Sequence, residues 1–482
     1  METSLAEGNV RPRSCVSATL KQILCGLIVS AGMVEVGFVV GWPAVLPALQ
    51  RDNSSAFNVT NDDVKWLVSC TGIVGMVTNV FAGSLIEWVG PRLLLCLLLV
   101  PASAFWILQA FSPNLTIFIV GRIGGAFIAT VFTTLTNPLL AELVEPHLRG
   151  MLSCLPEMVV ASGVLIVYVL SQVLPWQIVT GICAVPFVPL FGLALVVPES
   201  PFWLVRKGNL LEAEQSIKKL RDSRGNATKD EISEIRRSIL NHPQTTVMDQ
   251  VRQLGVAYNA KPVILLVSIF ILREFGGQYA VFSYTVYMFQ RAGIDLDVLT
   301  GTILVGVVRL LSTITSALLI DRLGRRPFLI GATFGCAIAE TLGGAFLLVK
   351  VPGANWVPLV AVLMFVLSYG LGVGPIPWVL LGELLPTPVR SLGASICILC
   401  FAAAQFVIGY AFPELTSAIG LGGSLLVFAV ANFILGLVMF VFLPETRGRS
   451  LHELQEIFSF QPPERPLIDV SADDESNSVE SR

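Results

Sequence analysis

The 482-residue chain is 54% hydrophobic and only 13% charged, with a mean hydropathy of +0.75. A soluble chain carries roughly 25% charged residues, so this composition excludes a soluble globular domain and points to a helical protein that crosses a membrane many times. The net charge of −3 gives no reason to expect a polyanionic partner such as nucleic acid.

Residues 1–20 are polar, and the first apolar segment is long enough to remain in the bilayer, so no cleaved signal peptide is expected. A spanning helix needs about 20 mostly apolar residues. Twelve such segments are predicted, at 22–47, 64–86, 92–111, 115–139, 152–173, 177–197, 262–289, 298–320, 327–349, 356–381, 392–413 and 421–443. Six precede a polar stretch at 198–260 and six follow it. The expected organisation is an N-terminal segment 1–21, a six-helix half 22–197, a loop 198–260, a second half 261–443 and a tail 444–482.

Lysine and arginine set the orientation. Arg11, Arg13, Lys21, Arg92, Arg149, Arg322, Arg325, Arg326, Arg390, Arg447 and Arg449 fall on one side with the central loop; Arg51, Lys65, Arg291 and Lys350 fall on the other. Both termini are therefore expected in the cytosol of a plasma-membrane protein. The sequons at Asn53, Asn58 and Asn114 then face outward as candidate glycosylation sites, whereas Asn226 faces inward. In the loop, Asn209 is placed to cap a helix with Leu210, Ala213, Ile217 and Leu220 on one face. Thr228 and Glu231 form a capping-box pattern before Ile232, and a short third helix is expected after Thr246. Ser450 and Glu453 repeat the capping box, and from about residue 459 the tail reads as disordered. Its Glu464-Arg-Pro-Leu-Ile468 run is one residue short of an acidic di-leucine signal, which leaves endosomal membranes open as a location.

Nine cysteines give no disulfide framework, and the three histidines map to polar segments, so neither a metal nor another cofactor is expected. No nucleophile–base pair or phosphate loop suggests an enzyme.

Several motifs occur twice, half a chain apart. Glu142 is followed seven residues later by Arg149, and Glu383 likewise by Arg390. Gly83-Ser-Leu-Ile-Glu87-Trp-Val-Gly-Pro-Arg92 follows the second segment and Asp321-Arg322-Leu-Gly-Arg325-Arg326-Pro the eighth. Pro198-Glu199-Ser-Pro follows the sixth and Pro444-Glu445-Thr-Arg-Gly the twelfth. Gly121-Arg122 opens the fourth segment and Gly374-Pro-Ile-Pro-Trp378 lies in the tenth. This ordered set resembles the sugar porter family of the major facilitator superfamily over about residues 20–457. Leu155-Pro156 and the 282–293 stretch are most similar to its arthropod facilitated trehalose transporter subgroup.

The resemblance implies an all-α membrane fold of twelve transmembrane helices, in two pseudo-symmetric halves of six, with a small-molecule substrate between them. It also implies that the charges at the cytosolic helix ends form a gate: Glu87, Arg92, Arg122, Glu142, Arg149, Glu199, Asp321, Arg322, Arg325, Arg326, Glu383, Arg390 and Glu445. Charge-assisted bonds there can latch the halves shut; alternatively the charges anchor helix ends and fix topology. In the first half the family's Asp-Arg pair is replaced by Glu87-Trp88.

The substrate positions depart from the family pattern. The family's helix-five Gln is Glu157; its helix-seven Gln pair is Arg273-Glu274 and the following Asn is Tyr279; its helix-eight Asn is Arg309. Trp378 is retained, and Tyr284 occupies a gate-tyrosine position. The acid used by proton-coupled members falls at Val39, so facilitated diffusion is expected, with Glu35, Glu157 or Glu340 as substitute proton sites. Ionisable groups at mid-membrane are costly and do not face lipid. They either pair internally or bind substrate. The reading is a carrier of hexose or trehalose working by alternating access, with Glu157, Arg273, Glu274, Tyr279, Tyr284, Arg309 and Trp378 at the substrate. A carrier of a charged or zwitterionic solute, or a non-transporting receptor, are the alternatives.

Overall fold

The computed structural model describes residues 13–52, 57–145, 148, 152–221, 226–241, 247–293, 297–349, 354–447 and 457–458. Among them there are helices and turns but no strand. Eleven helical stretches are long and apolar enough to cross a membrane. The last, Arg390–Phe442, is two helices in one run, because Gly420 takes φ 74° and ψ 166°. Twelve spans result. They are α1 (Ala18–Arg51), α2 (Asn61–Val89), α3 (Pro91–Ala110), α4 (Leu115–Leu143), α5 (Leu155–Val173), α6 (Trp176–Ala194), α7 (Ala257–Ser283), α8 (Val298–Leu323), α9 (Arg325–Val349) and α10 (Val357–Leu384), with α11 before Gly420 and α12 after it.

Several spans run past their apolar cores, because local caps extend them. Thr60 accepts from the Asp63 backbone N–H while the Asp63 carboxylate accepts from that of Thr60, so α2 begins before its first apolar residue. Asn114 caps α4 and Asp297 caps α8 in the same way. Four spans are broken, α6 among them at residues 183–186. The helix of α1 is interrupted at Gly32-Met33, α7 at Gly276-Gly277, and α10 at the π-helical turn Tyr369–Val373. In lipid such breaks persist only where freed backbone groups face protein or a cavity. Helices α1 and α5 meet through glycines: a Cβ on Gly163 would lie 2.9 Å from the Val34 carbonyl oxygen and 3.0 Å from Gly37 Cα.

The side of the molecule carrying the central loop is called here the terminal side, and the opposite one the distal side. The loop forms the helices Pro201–Arg206, Leu210–Arg221, Asn226–Asn241 and Val247–Leu254. Leu204, Val205, Ala213, Ile217 and Ile235 make a small separate core there. Two expectations are corrected. Leu210 is 40% exposed and is not part of that core, unlike Ala213 and Ile217. Thr228 lies inside a helix that already starts at Asn226, so it is not a cap. The segment proposed after Ser450, apart from 457–458, and the tail lie outside the described residues.

The duplicated motifs build the same joint twice. Between α2 and α3 the chain turns at Gly90 (φ 101°), and between α8 and α9 at Gly324 (φ 88°). In each half an acid after the last span accepts from the first backbone N–H groups of that half's third helix: Glu199 from Arg92 N at 2.9 Å, and Glu445 from Arg325 N and Arg326 N at 3.0 and 3.1 Å. An arginine then returns to the last span, Arg92 to the Leu195 carbonyl at 2.5 Å and Arg326 to that of Phe440 at 2.7 Å. Both glycines combine positive φ with a close approach: a Cβ would meet a carboxylate oxygen of Glu199 at 3.2 Å or of Glu445 at 2.8 Å.

Candidate functional site

A cavity lies between the halves, lined by α1, α2, α4 and α5 on one side and α7, α8, α10 and α11 on the other. The breaks in α1, α7 and α10 sit beside it: Met33, Gln278, Tyr369 and Pro375 all contribute to its wall. It extends to Asn137, Ser153 and Ile398, toward the terminal-side ends of α4, α5 and α11.

Six of the seven expected substrate residues line it: Glu157, Arg273, Glu274, Tyr279, Arg309 and Trp378. Tyr284 is corrected. It is buried, its hydroxyl donates to the Gly409 carbonyl at 2.8 Å, and its ring packs on Phe412, so it joins α7 to α11 away from the cavity. Asn137, Thr130, Thr133, Gln278 and Gln405 also line the cavity and were not singled out from sequence. They are uncharged polar residues within apolar spans, a weaker form of the signal that exposed the charged ones.

The charges pair across and within the cavity. Arg309 on α8 donates to Glu157 on α5 at 3.2 Å, joining the two halves, and lies over the Phe282 ring at 4.1 Å. Arg273 Nη1 is 3.5 Å from Glu274, whose carboxylate also accepts from the Gln278 amide. Arg309 Nε and Nη1, Arg273 Nη1 and Gln278 Oε1 are buried without a hydrogen-bond partner. The other donors of Arg273 go to α10: Nε to the Val373 carbonyl at 2.9 Å, and Nη2 to the Tyr369 hydroxyl at 2.7 Å and the Gly374 carbonyl at 3.5 Å. Trp378, Phe401 and Phe270 pack edge to face beside it.

Glu35 and Glu340 do not line the cavity. Glu35 is fully buried inside the first half and accepts from Trp106 Nε1 at 2.7 Å. Glu340 accepts from Asn432 at 2.8 Å, and the same amide donates to the Gly276 carbonyl at 3.1 Å, behind the break in α7. Val39, at the position of the family's proton-carrying acid, does line it.

On the distal side the halves are joined. Lys65 on α2 pairs with Asp62 at 2.6 Å and with Glu414 on α11. Tyr279 donates to the Val68 carbonyl at 2.7 Å and meets the Thr71 hydroxyl at 2.9 Å. Tyr168 on α5 donates to the Phe282 carbonyl at 2.5 Å. Helices α2 and α11 approach so closely that a Cβ on Gly72 would lie 2.7 Å from the Ala402 carbonyl oxygen. The cavity is therefore closed distally and inclines to the terminal side.

The family model described as sugar (and other) transporter matches residues 27–458. The chain belongs to the sugar transporter family. Its members are transporters rather than enzymes. It is 30% identical over 445 residues to the facilitated trehalose transporter Tret1 of Apis mellifera ligustica, covering 91% of this chain and 88% of that one. The Culex quinquefasciatus protein of the same name is 30% identical over 450 residues, covering 91% and 86%. The proton:xylose symporter XylE bound to 6-bromo-6-deoxy-D-glucose matches with a TM-score of 0.73 at 24% identity, over 92% of this chain and 99% of that one. The partially occluded inward-open xylose transporter XylE from E. coli also gives 0.73, at 21% identity, over 88% and 100%. At such identities the structural likeness shows the fold, which is the twelve-helix fold of the major facilitator superfamily.

For this member of the sugar transporter family, the residues expected at a gate divide into groups. Glu87 pairs with Arg206 at 3.1 Å and Lys207 at 4.0 Å, and Glu142 accepts from Ser200, contacts that tie the first half to the start of the central loop. Arg325 pairs with Glu383 at 3.0 Å, and Arg390 donates to the Leu385 carbonyl at 3.4 Å, within the second. The Arg322 carbonyl accepts from Arg447 at 2.6 Å. Arg122 is corrected: α4 starts distally at Leu115, so Arg122 lies far from the terminal side. It is buried over Trp42 and donates to the Val39 carbonyl at 3.3 Å. Arg149, the Asp321 side chain and Asn53 lie outside what is described. Asn58 is exposed, and Asn114 is exposed with its side-chain oxygen engaged as the α4 cap.

Proposed function

We propose that the chain carries a neutral carbohydrate, hexose or trehalose, across the plasma membrane by alternating access and facilitated diffusion. The observation that carries this reading is the internal pairing of the cavity charges. Glu157 stands with Arg309 and Glu274 with Arg273, so the described lining has no net charge to recruit an ion. What remains is a set of uncharged amides and hydroxyls together with Trp378, which suits a hydroxyl-rich solute. Two relatives are named for trehalose and two structural neighbours for xylose. Val39 in place of the family's acid favours transport without a coupled proton.

In this reading the terminal side is cytosolic, as the lysine and arginine distribution supports. The division at the 198–260 loop separates two rocking halves. Asn53, Asn58 and Asn114 are then external candidates for glycosylation. The charges of Glu142, Arg149, Asp321, Arg325, Arg326, Glu383 and Arg390 latch the cytosolic side when the carrier faces outward. In the present inward-inclined state Glu383 pairs with Arg325 and Glu142 accepts from Ser200.

The test is uptake by purified protein in proteoliposomes, across neutral mono- and disaccharides and charged organic solutes, at two pH values. Saturable flux of a neutral sugar, insensitive to the proton gradient, is expected. Flux of an ion without sugar flux overturns the carbohydrate reading, and sugar accumulation driven by a proton gradient overturns the uncoupled one.

A further inference from the structure

We propose that Arg273 is a positioning residue that pins the break in α10 to α7, so that Trp378 is carried on a joint governed by α7. This rests on the carbohydrate-carrier reading only for its consequence in transport; the joint itself rests on geometry. In an α-helix the carbonyl of Val373 accepts from the N–H of residue 377. Residue 377 is proline, which has no N–H, so that carbonyl is left without its helical donor. Immediately before it, the turn Tyr369–Val373 is π-helical, closed by Gly374 N to the Tyr369 carbonyl at 2.8 Å. An unsatisfied carbonyl at this depth is costly, because no water reaches it from the bilayer.

Arg273 supplies the absent donor. Its Nε donates to the Val373 carbonyl at 2.9 Å, and its Nη2 reaches the Gly374 carbonyl at 3.5 Å and the Tyr369 hydroxyl at 2.7 Å. The Arg273 side chain is 3% exposed, and its guanidinium is held among the rings of Tyr369, Trp378 and Phe401, with centroids 5.6, 5.9 and 5.7 Å away. One residue on α7 therefore grips both ends of the α10 break and the aromatic wall mounted after it. An amide is too short and carries too few donors to bond Val373, Gly374 and Tyr369 together; the planar fork of arginine does so in one rotamer. Because Arg273 sits one turn before the Gly276-Gly277 break, movement of the distal part of α7 is transmitted to α10 through this pin.

The experiment combines hydrogen–deuterium exchange with transport kinetics, on native protein and the Arg273→Gln and Tyr369→Phe variants. Exchange is measured in detergent with no solute present. Arg273→Gln is expected to raise exchange of peptides covering 369–378 about tenfold, the loss of roughly one strong hydrogen bond, while peptides from α4 and α5 keep native protection. Tyr369→Phe removes one bond, leaves folding intact and is expected to give a smaller rise in the same peptides. In proteoliposomes Arg273→Gln is expected to slow turnover severalfold with KM changed less. Unchanged exchange at 369–378 in both variants overturns the pin. So does a large rise in KM with native turnover, which would make Arg273 a substrate contact. If neither native protein nor variants move sugar but exchange still rises at 369–378, the carbohydrate reading fails and the pin stands.

Discussion

Glu157 and Arg309 face each other from different halves at 3.2 Å, with side chains 14% and 4% exposed. A buried cation that loses its counter-charge is left uncompensated, which costs about 3–5 kcal/mol, whereas replacing both partners together is close to neutral. Glu157→Gln alone is therefore expected to lower stability by roughly 3–5 kcal/mol. Adding Arg309→Asn should restore most of that loss. Thermal unfolding in detergent checks both, and a single variant as stable as native protein would show that the pair is not a closed unit. These two residues were legible in the sequence because a charge within an apolar span is rare enough to be noticed. Asn137 and Gln405 line the same cavity but carry no charge, and nothing marked them out among the many polar residues that merely pack. The partners of Arg273 were hidden for another reason. Pro377 announces an orphaned carbonyl at Val373, yet no pattern says which distant side chain reaches it.

At the level of elements, the duplicated motifs turned out to specify joints. Each half uses a glycine turn, an acid after its last span and an arginine opening its third helix, and the spacing of these in sequence was enough to place them at helix ends. What the acid touches was not legible, because its partners are backbone N–H groups. Glu445 shows the consequence. Burial pushes its carboxyl upward, but N–H donors from Arg447, Arg325, Arg326 and Thr446 outweigh burial and hold it below the usual carboxylate range. The folded pKa thus lies below the unfolded one. The stabilisation is complete above the ordinary glutamate value of about 4.3 and is lost as pH falls through the folded value. Native protein is expected to have a higher Tm than Glu445→Gln at neutral pH, with the gap closing as pH falls below the ordinary glutamate value. A gap that stays constant on acidification would mean that the charge on Glu445 contributes nothing to the joint. Helix lengths show the same division of what sequence reveals. Apolar runs mark the hydrocarbon core, while caps such as Thr60 with Asp63 carry the helix beyond it.

For the whole molecule, the question is what holds one state against the other. The distal closure has a charged component that links the halves, Lys65 with Asp62 and Glu414, above the tighter contacts of Tyr279 with Val68 and Thr71. The terminal side has Glu383, which pairs with Arg325, and its repeat Glu142, which accepts from Ser200. An alternating-access carrier is bistable, and removing a contact made in only one state shifts the population toward the other. The two latches should therefore respond in opposite directions. Spin labels at Ala48 and Ser417, exposed on the distal ends of α1 and α11, report the separation of the halves there. Lys65→Gln is expected to move the distance distribution toward longer values, since it removes a bond present only while the distal side is closed. Glu383→Gln is expected to move it toward shorter values, since it weakens the terminal-side latch that holds the distal side open. If both variants shift the distances the same way, the charges at the two ends are not opposing latches, and the balance between states rests instead on the packing of α2 with α11 and of α5 with α8.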